Sequence, residues 1–384
     1  MKKILNNSMY LTLSIITIIL YIKFSIMGFR WPSSWVMTNH LITGMIPRAF
    51  VGNIISLFLG VRLYKKTTLY TIILSISLIF IIYIIYNIVK LGLKNKSLLC
   101  LGILFVFVTS PYSKYFLHEA GYFEQYGYIF GIILIEVALR KGTKLTLVMS
   151  VIFSLISVLI CETNLFLVIP FLYSISIIKI FEEKINIKKR VLIFSICFLP
   201  IVLYSLLSFH ILQPTSNYMN NLYKNNQKYV DFDVRKDVYY YAWADRSNKQ
   251  IWGRTLHPIA PQCIIYPLIL IFIISFFLCK IGHKKIATVY SILSILVGIF
   301  NYSIVIVAWD IDRYYFCIFM QIFIISLYII RKFLSNYHPK GMEFIPLLMF
   351  LIISIFLSDY EFYLFDNAKY LKNMNDVFKE VSNP

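Results

Sequence analysis

The octapeptide His118-Glu119-Ala120-Gly121-Tyr122-Phe123-Glu124-Gln125 puts one imidazole and two carboxylates into eight residues, between two apolar runs that are each long enough to enter a membrane. Those side chains could move a proton: a carboxylate or imidazole held within hydrogen-bond reach of a hydroxyl is a general base. Read as helix at about 100° per residue, Glu119 and Glu124 point roughly 140° apart. They then act separately, Glu119 as general base and Glu124 as its support or a substrate ligand, and not as one paired-carboxylate site. The bland alternative is a re-entry loop with solvated charges.

Other polar insertions fall between apolar runs in the same way. Glu162 interrupts some three dozen apolar residues, which demands a turn at Glu162-Thr163-Asn164. In the structural reading Thr163 or Asn164 caps the returning helix and Glu162 rides in its first turn, where a negative charge suits the helix dipole. In the functional reading Glu162 binds substrate. Trp309-Asp310-Ile311-Asp312-Arg313 carries an Asp-x-Asp pair beside an arginine. Either Asp312 caps the next helix while Asp310 pairs with Arg313, or the three form a diphosphate site with Arg313 as anion ligand.

The stretch from Arg30 to Arg48 contains Trp31, Trp35 and His40 and no carboxylate. Its tryptophans fit interfacial anchors, and Arg48 is the better phosphate ligand. Arg235, Arg246, Arg254 and His257 mix with aromatic residues in a long polar segment, a combination that suits sugar faces and phosphates and also suits a plain solvated surface. Glu136 and Arg140, one helical turn apart, read as a snorkelling ion pair without chemistry.

What must position these groups is a membrane-spanning helix bundle. The 384 residues are 59% hydrophobic and only 14% charged, about half the charged fraction of ordinary soluble domains. The net charge of +19 comes from short Lys/Arg clusters between apolar runs, which is the positive-inside pattern and excludes a nucleic-acid face. The six cysteines are scattered without a Cys-x-x-Cys pair and read as buried small hydrophobes. Lys2-Lys3 followed by Met9 to Met27 resembles a signal peptide in charge layout, lacks a small-x-small cleavage site, and is read as a retained helix.

With about 20 apolar residues per crossing, spans are expected at 8–28, 67–89, 97–112, 126–140, 145–161, 164–180, 191–209, 263–281, 286–307, 314–331 and 343–358. The fold class is therefore all-α, a polytopic transmembrane bundle of about eleven helices forming one integral membrane domain over 1–384, with one large exoplasmic loop at 210–262. Counting from a cytoplasmic N-terminus puts the basic segments 90–96, 140–144, 184–190, 280–285 and 331–340 on the cytoplasmic side. The segment 41–61 is apolar enough to cross. Letting it lie in the outer interface keeps those five basic loops inside.

This layout resembles the bacterial envelope glycan enzymes that use polyprenyl-linked donors, namely the O-antigen and capsule polymerases and the wider GT-C glycosyltransferases. The likeness spans the whole chain and rests on the helix count, the long outer loop, and short elements such as Ile46-Pro47-Arg48-Ala49-Phe50-Val51-Gly52, Gly121 to Gln125 and Trp309 to Arg313. It departs from the GT-C pattern in lacking a carboxylate in the first outer loop.

The resemblance implies a polymerase in the bacterial cytoplasmic membrane, acting on its periplasmic face on polyprenyl-diphosphate-linked repeat units of O-antigen or capsule. Glu119, Glu124 and His118 are then the catalytic candidates. Arg48, His40, Glu162, Arg254, Asp310, Asp312 and Arg313 are the substrate-binding ones. It implies no certain cofactor and no defined metal ligands; a divalent metal and a chain-length regulator stay open as partners besides the glycan substrate and the bilayer. Addition of single sugars from a polyprenyl-phosphate donor, glycan O-acylation by a His118–Glu119 base, and lipid-linked oligosaccharide flipping are the alternatives.

Overall fold

The computed structural model describes residues 2–23, 50–59, 65–110, 113, 116–117, 121–161, 163–183, 261–305 and 311–357, with isolated positions between 188 and 228. Among the described residues every regular element is helical: α1 (Lys2–Lys23), α2 (Phe50–Leu59), α3 (Lys66–Lys94), α4 (Leu98–Thr109), α5 (Phe123–Arg140), α6 (Thr143–Ile160), α7 (Asn164–Leu167), α8 (Ile169–Glu182), α9 (Pro261–Lys280), α10 (Lys284–Val305), α11 (Ile311–Ile329) and α12 (Phe344–Leu357). A π-helical turn, Ile330–Leu334, extends α11, and a 3-10 turn, Gly341–Glu343, precedes α12.

Among the described residues five stretches are long and apolar enough to cross a bilayer: Tyr70–Lys94, Thr143–Ile160, Asn164–Glu182, Lys284–Ser303 and Phe316–Leu334. Shorter apolar helices include Leu98–Thr109 and Ile264–Lys280. The described part of the 41–61 segment is α2, ten residues or about 15 Å of helix, half the thickness of a hydrocarbon core. The expected crossing at 191–209 and most of the 210–262 loop lie outside the described residues.

The way α6 buries its residues shows why this fold belongs in lipid. Thr143, Thr146, Ser150, Ser154 and Ser157 face the interior, whereas Leu145, Val148, Ile152 and Leu155 are exposed. In water that arrangement is inside out. In a bilayer, aliphatic side chains meet lipid at no cost, and small hydroxyl residues let helices approach while bonding their own backbone. Ser157 Oγ donates to the Phe153 carbonyl at 2.7 Å and Ser150 Oγ to that of Leu147 at 2.8 Å. Exposed Ile79, Phe272, Ile299 and Leu348 carry the same lipid-facing belt around the bundle.

At the centre stands α11, whose residues are buried almost without a break from Phe316 to Ile330. A helix apolar all round must be enclosed, and α11 packs against α5, α8, α9 and α10. The α10–α11 contact also holds a fully buried amide pair. Asn301 Nδ2 donates to Gln321 Oε1 at 2.8 Å, and Gln321 Nε2 returns a bond to Asn301 Oδ1 at 3.0 Å. Each amide satisfies the other where no water is available. Of the cysteines, Cys100, Cys161 and Cys317 are buried as expected; Cys279 is exposed, one residue from the end of α9.

The described basic turns share one end of the bundle, and bonds between them prove it. Asn95 Nδ2 donates to the Ser335 carbonyl at 2.8 Å, Thr143 N to Glu183 at 3.1 Å, and Lys280 lies 3.8 Å from Glu343. Glu136 is more than the snorkelling partner of Arg140 that its spacing suggests. Arg140 reaches its Oε2 at 2.8 Å, while Arg331 and the Tyr83 hydroxyl both bind its Oε1, joining α3, α5 and the π turn. Next to them Glu182 receives Lys332 at 2.6 Å, the Tyr328 hydroxyl at 2.9 Å and Lys179 at 3.3 Å.

Candidate functional site

At the opposite end, where α4 ends and α5 and α7 begin, the chain turns into α5 through Gly121, whose φ of +101° lies in the left-handed region that glycine enters freely. Tyr122 takes the N-cap position with extended backbone and offers no side-chain cap. Gln125, three residues on, supplies it instead: its Oε1 accepts the Gly121 N–H at 2.9 Å. The bond reaches one residue beyond the N-cap N–H that a capping box would engage, and it ties the Gly121 turn to the first turn of α5.

Glu124 occupies the second position of that first turn, where a carboxylate favours the positive end of the helix dipole. It is 2% exposed. The solvated-loop reading therefore fails for this residue. The expected 140° separation from Glu119 fails too, because α5 begins at Phe123, after a residue with positive φ, and no helical register connects 119 to 124.

Glu124 shares a helix face with closely packed residues. Gly127 and Gly131, three and seven residues on, share its face of the helix. A Cβ at Gly127 would lie 2.3 and 2.6 Å from the two methyls of Val168, and one at Gly131 would lie 2.5 Å from Phe171. The Gly-x-x-x-Gly face thus lets the α5 backbone press against the α7–α8 junction. That junction is itself bent: Val168 has φ −114° and ψ −47°, and Pro170 follows in the first turn of α8.

Asn164, fully buried at the start of α7, completes the convergence. Its Nδ2 donates to the Ser157 carbonyl at 2.9 Å, near the end of α6, and to the Phe123 carbonyl at 3.5 Å. The latter belongs to the peptide that leads into Glu124. Asn164 Oδ1 has no hydrogen-bond partner among the described residues. The capping role expected of Thr163 or Asn164 is not what these residues do. Thr163 makes no side-chain cap bond, its hydroxyl lying 3.1 Å from Cys161 Sγ, and Asn164 ties two other helix ends together.

On its other side the start of α5 faces α3 across a narrow recess lined by Ile73, Ser77, Phe116, Gly121, Gln125 and Tyr126, with room for roughly one water molecule. The recess is too small for a sugar.

The remaining candidates divide simply. His118, Glu119, Glu162, Arg48, His40, Arg254 and Asp310 lie outside the described residues, though Leu117 and Gly121, which flank 118–120, are both buried. Asp312 and Arg313 are the second and third residues of α11, so Asp312 is inside the helix and not its N-cap. Among the described residues no three His, Cys, Asp or Glu side chains gather closely enough to hold a metal ion.

The bridging roles of Gln125 and Asn164, and the Gly127/Gly131 pair, escaped the sequence reading. The Gly-x-x-x-Gly spacing inside an apolar helix was the available signal. The site thus comprises a buried carboxylate, Glu124, at the start of α5 and a buried amide, Asn164, that bonds the Phe123 carbonyl where α5, α6 and α7 meet. No family model, curated protein or solved structure matches the chain.

Proposed function

We propose that this protein is a membrane glycosyltransferase that lengthens a polyprenyl-diphosphate-linked glycan on the exoplasmic face, with a carboxylate at the start of α5 as general base. The observation that carries the proposal is the burial of Glu124 at the end of the bundle opposite the basic turns. An ionisable residue enclosed at a membrane-embedded helix end is costly and marks function by default. The positive-inside rule assigns the basic turns to the cytoplasm, which leaves Glu124 on the side where nucleotide sugars are absent and the donor must arrive already activated on a lipid.

In the reaction an acceptor hydroxyl attacks the anomeric carbon, the bond from that carbon to the diphosphate oxygen breaks, and the carboxylate takes the hydroxyl proton. Glu124 fills that role, with Glu119 or His118 as the sequence-adjacent alternatives. Arg48, Arg254 or Arg313 would neutralise the departing diphosphate, the largest electrostatic demand of such a transfer.

A flippase reading finds its best support in the buried amides Asn301 and Gln321. Their donors and acceptors are spent on each other, which leaves less for a passing glycan.

The test is deletion and complementation in the native host with wild type, Glu124→Gln, Glu119→Gln, His118→Ala and Arg313→Ala. Surface glycan is read on a gel and membrane content by immunoblot. The proposal expects Glu124→Gln to collapse the long ladder to single repeat units at normal protein level. A full-length ladder with that variant removes Glu124 from the chemistry. A ladder of wild-type length that has lost acetyl groups or branch sugars in the deletion strain replaces the polymerase with a modifying transferase.

A further inference from the structure

Three turns at the basic end form one continuous surface. The turn after α3, the turn between α9 and α10, and the segment from Ser335 to Gly341 are held together by Asn95 Nδ2 donating to the Ser335 carbonyl at 2.8 Å and Ser97 Oγ to that of Tyr337 at 3.4 Å. Ring contacts of Phe277 with Tyr337 at 5.4 Å and of His283 with Phe333 at 5.0 Å close the assembly.

Lys94, Lys96, Lys280, Lys284, Lys285 and Lys340 are all exposed on these turns, with His283 and His338 between them. Among the described residues of this surface the carboxylate is Glu343, and it is already engaged by the Tyr337 hydroxyl, by Lys340 N at 3.1 Å and by Lys280 at 3.8 Å. Lys280 is thus paired with Glu343, and the other five ammonium groups face outward with that carboxylate already engaged inside the patch. The ion-pair clusters around Glu136 and Glu182 are built from other cations and take none of these six.

The edge of the patch is apolar. Met342 is 83% exposed directly after Lys340-Gly341, and Ile345 and Leu348 continue the exposed face down the first turns of α12. A cationic rim above an aliphatic shoulder matches the headgroup layer of a bilayer, where phosphates sit just above acyl chains. A soluble acidic partner would meet the lysines and leave Met342 and Ile345 uncovered.

We infer that the surface made by the 94–96, 280–285 and 335–342 turns binds the headgroups of anionic phospholipids in the leaflet at this end of the bundle, and so ties the seat of α12 to that leaflet. Lys96 makes the surface testable without damage to the fold. Its φ of +51° is one that glycine prefers, so Lys96→Gly removes charge and relieves backbone strain together.

The experiment uses the purified full-length protein in detergent, titrated with phosphatidylglycerol or phosphatidylcholine in low and high salt, with thermal unfolding and retained lipid as readouts. The variant combines Lys94→Gln, Lys96→Gly, Lys284→Gln, Lys285→Gln and Lys340→Gln. The control is Lys141→Gln with Lys144→Gln, both exposed on another turn of the same end. Expected are a rise in melting temperature with phosphatidylglycerol alone, its suppression by salt, and loss of at least half of both the rise and the retained anionic lipid in the five-residue variant but not in the control. An equal rise with phosphatidylcholine, an equal rise in wild type and variant, or an equal loss in the control each overturns the assignment.

Discussion

Replacing Gly127 by alanine tests the packing that encloses Glu124, and the structure supplies both terms of the balance. Alanine is the better helix former by about 1 kcal/mol. Against that, the new Cβ would stand 2.3 and 2.6 Å from the two methyls of Val168 and 3.0 Å from its Cβ. Rotating Val168 can move one methyl away only by bringing another group in, and the residue is fully buried at a helix junction. The backbones must separate, and overpacking of this kind costs about 1–3 kcal/mol.

Gly127→Ala is therefore destabilising by about 1 kcal/mol on balance, and Gly127→Val by more. Val168→Ala alone opens a small cavity at a cost of about 1–2 kcal/mol. In the double variant the two changes compensate, because the clashing methyls are gone. The assay is thermal unfolding of all four proteins in one detergent, arranged as a double-mutant cycle. Gly127→Ala melting at or above wild type, or a double variant no better than the sum of its parts, refutes the close α5–α8 contact. Since Glu124 lies on the same face one turn earlier, the glycan ladder of Gly127→Val should shorten even where the protein still accumulates.

Arg331→Ala strips Glu136 of a partner within a mostly buried ion pair, the Arg331 and Glu136 side chains being 14% and 20% exposed. A loss of about 3 kcal/mol is expected, with Arg331→Gln/Glu136→Gln less damaging than the two single changes together in the same melting assay. Acid should loosen the basic end through two carboxyls held below their ordinary value of 4.5. Burial alone would raise Glu183, but the hydrogen bond from Thr143 and the nearby Lys179 outweigh it. Glu343 is lowered first by the Tyr337 hydroxyl and then by the Lys340 N–H. Groups with depressed values contribute their stability above the unfolded value and lose it as pH falls through the folded one. Melting temperature measured from pH 6 down to 3 should thus fall below about 4.5, and Glu183→Gln should flatten part of that fall; an unchanged slope in the variant removes Glu183 from the account.

The longer helices were legible in the sequence because they are apolar runs interrupted by polar or charged turns. Expected and observed limits agree within a few residues at 67–89 against Lys66–Lys94 and at 145–161 against Thr143–Ile160. The common end of the basic turns was legible for the same reason, since charge alternation along a bundle leaves few arrangements. Glu136 was misjudged because local spacing shows only the partner one turn away. Arg331 comes from 195 residues further on, and only the packing of α5 against α11 brings it in.

The candidate site was half legible, for a physical reason that the α5 entry makes plain. Residue type exposed Glu124, since a carboxylate amid apolar sequence is costly wherever it lands. The packing of the helix that carries it rests on what sequence displays least: two missing side chains, at Gly127 and Gly131, and one amide, Asn164, that reaches the Phe123 carbonyl from another helix. A helical wheel drawn through 119–125 went wrong at a single dihedral angle, the positive φ of Gly121, which separates Glu119 from the helix that holds Glu124. Glu124 is buried in the first turn of α5, and Glu119 precedes the start of that helix, so we propose that the two carboxylates serve different tasks. A substitution series that treats them as interchangeable should therefore fail: Glu119→Gln and Glu124→Gln should give glycan ladders that differ in kind, and identical ladders would put both residues in one role.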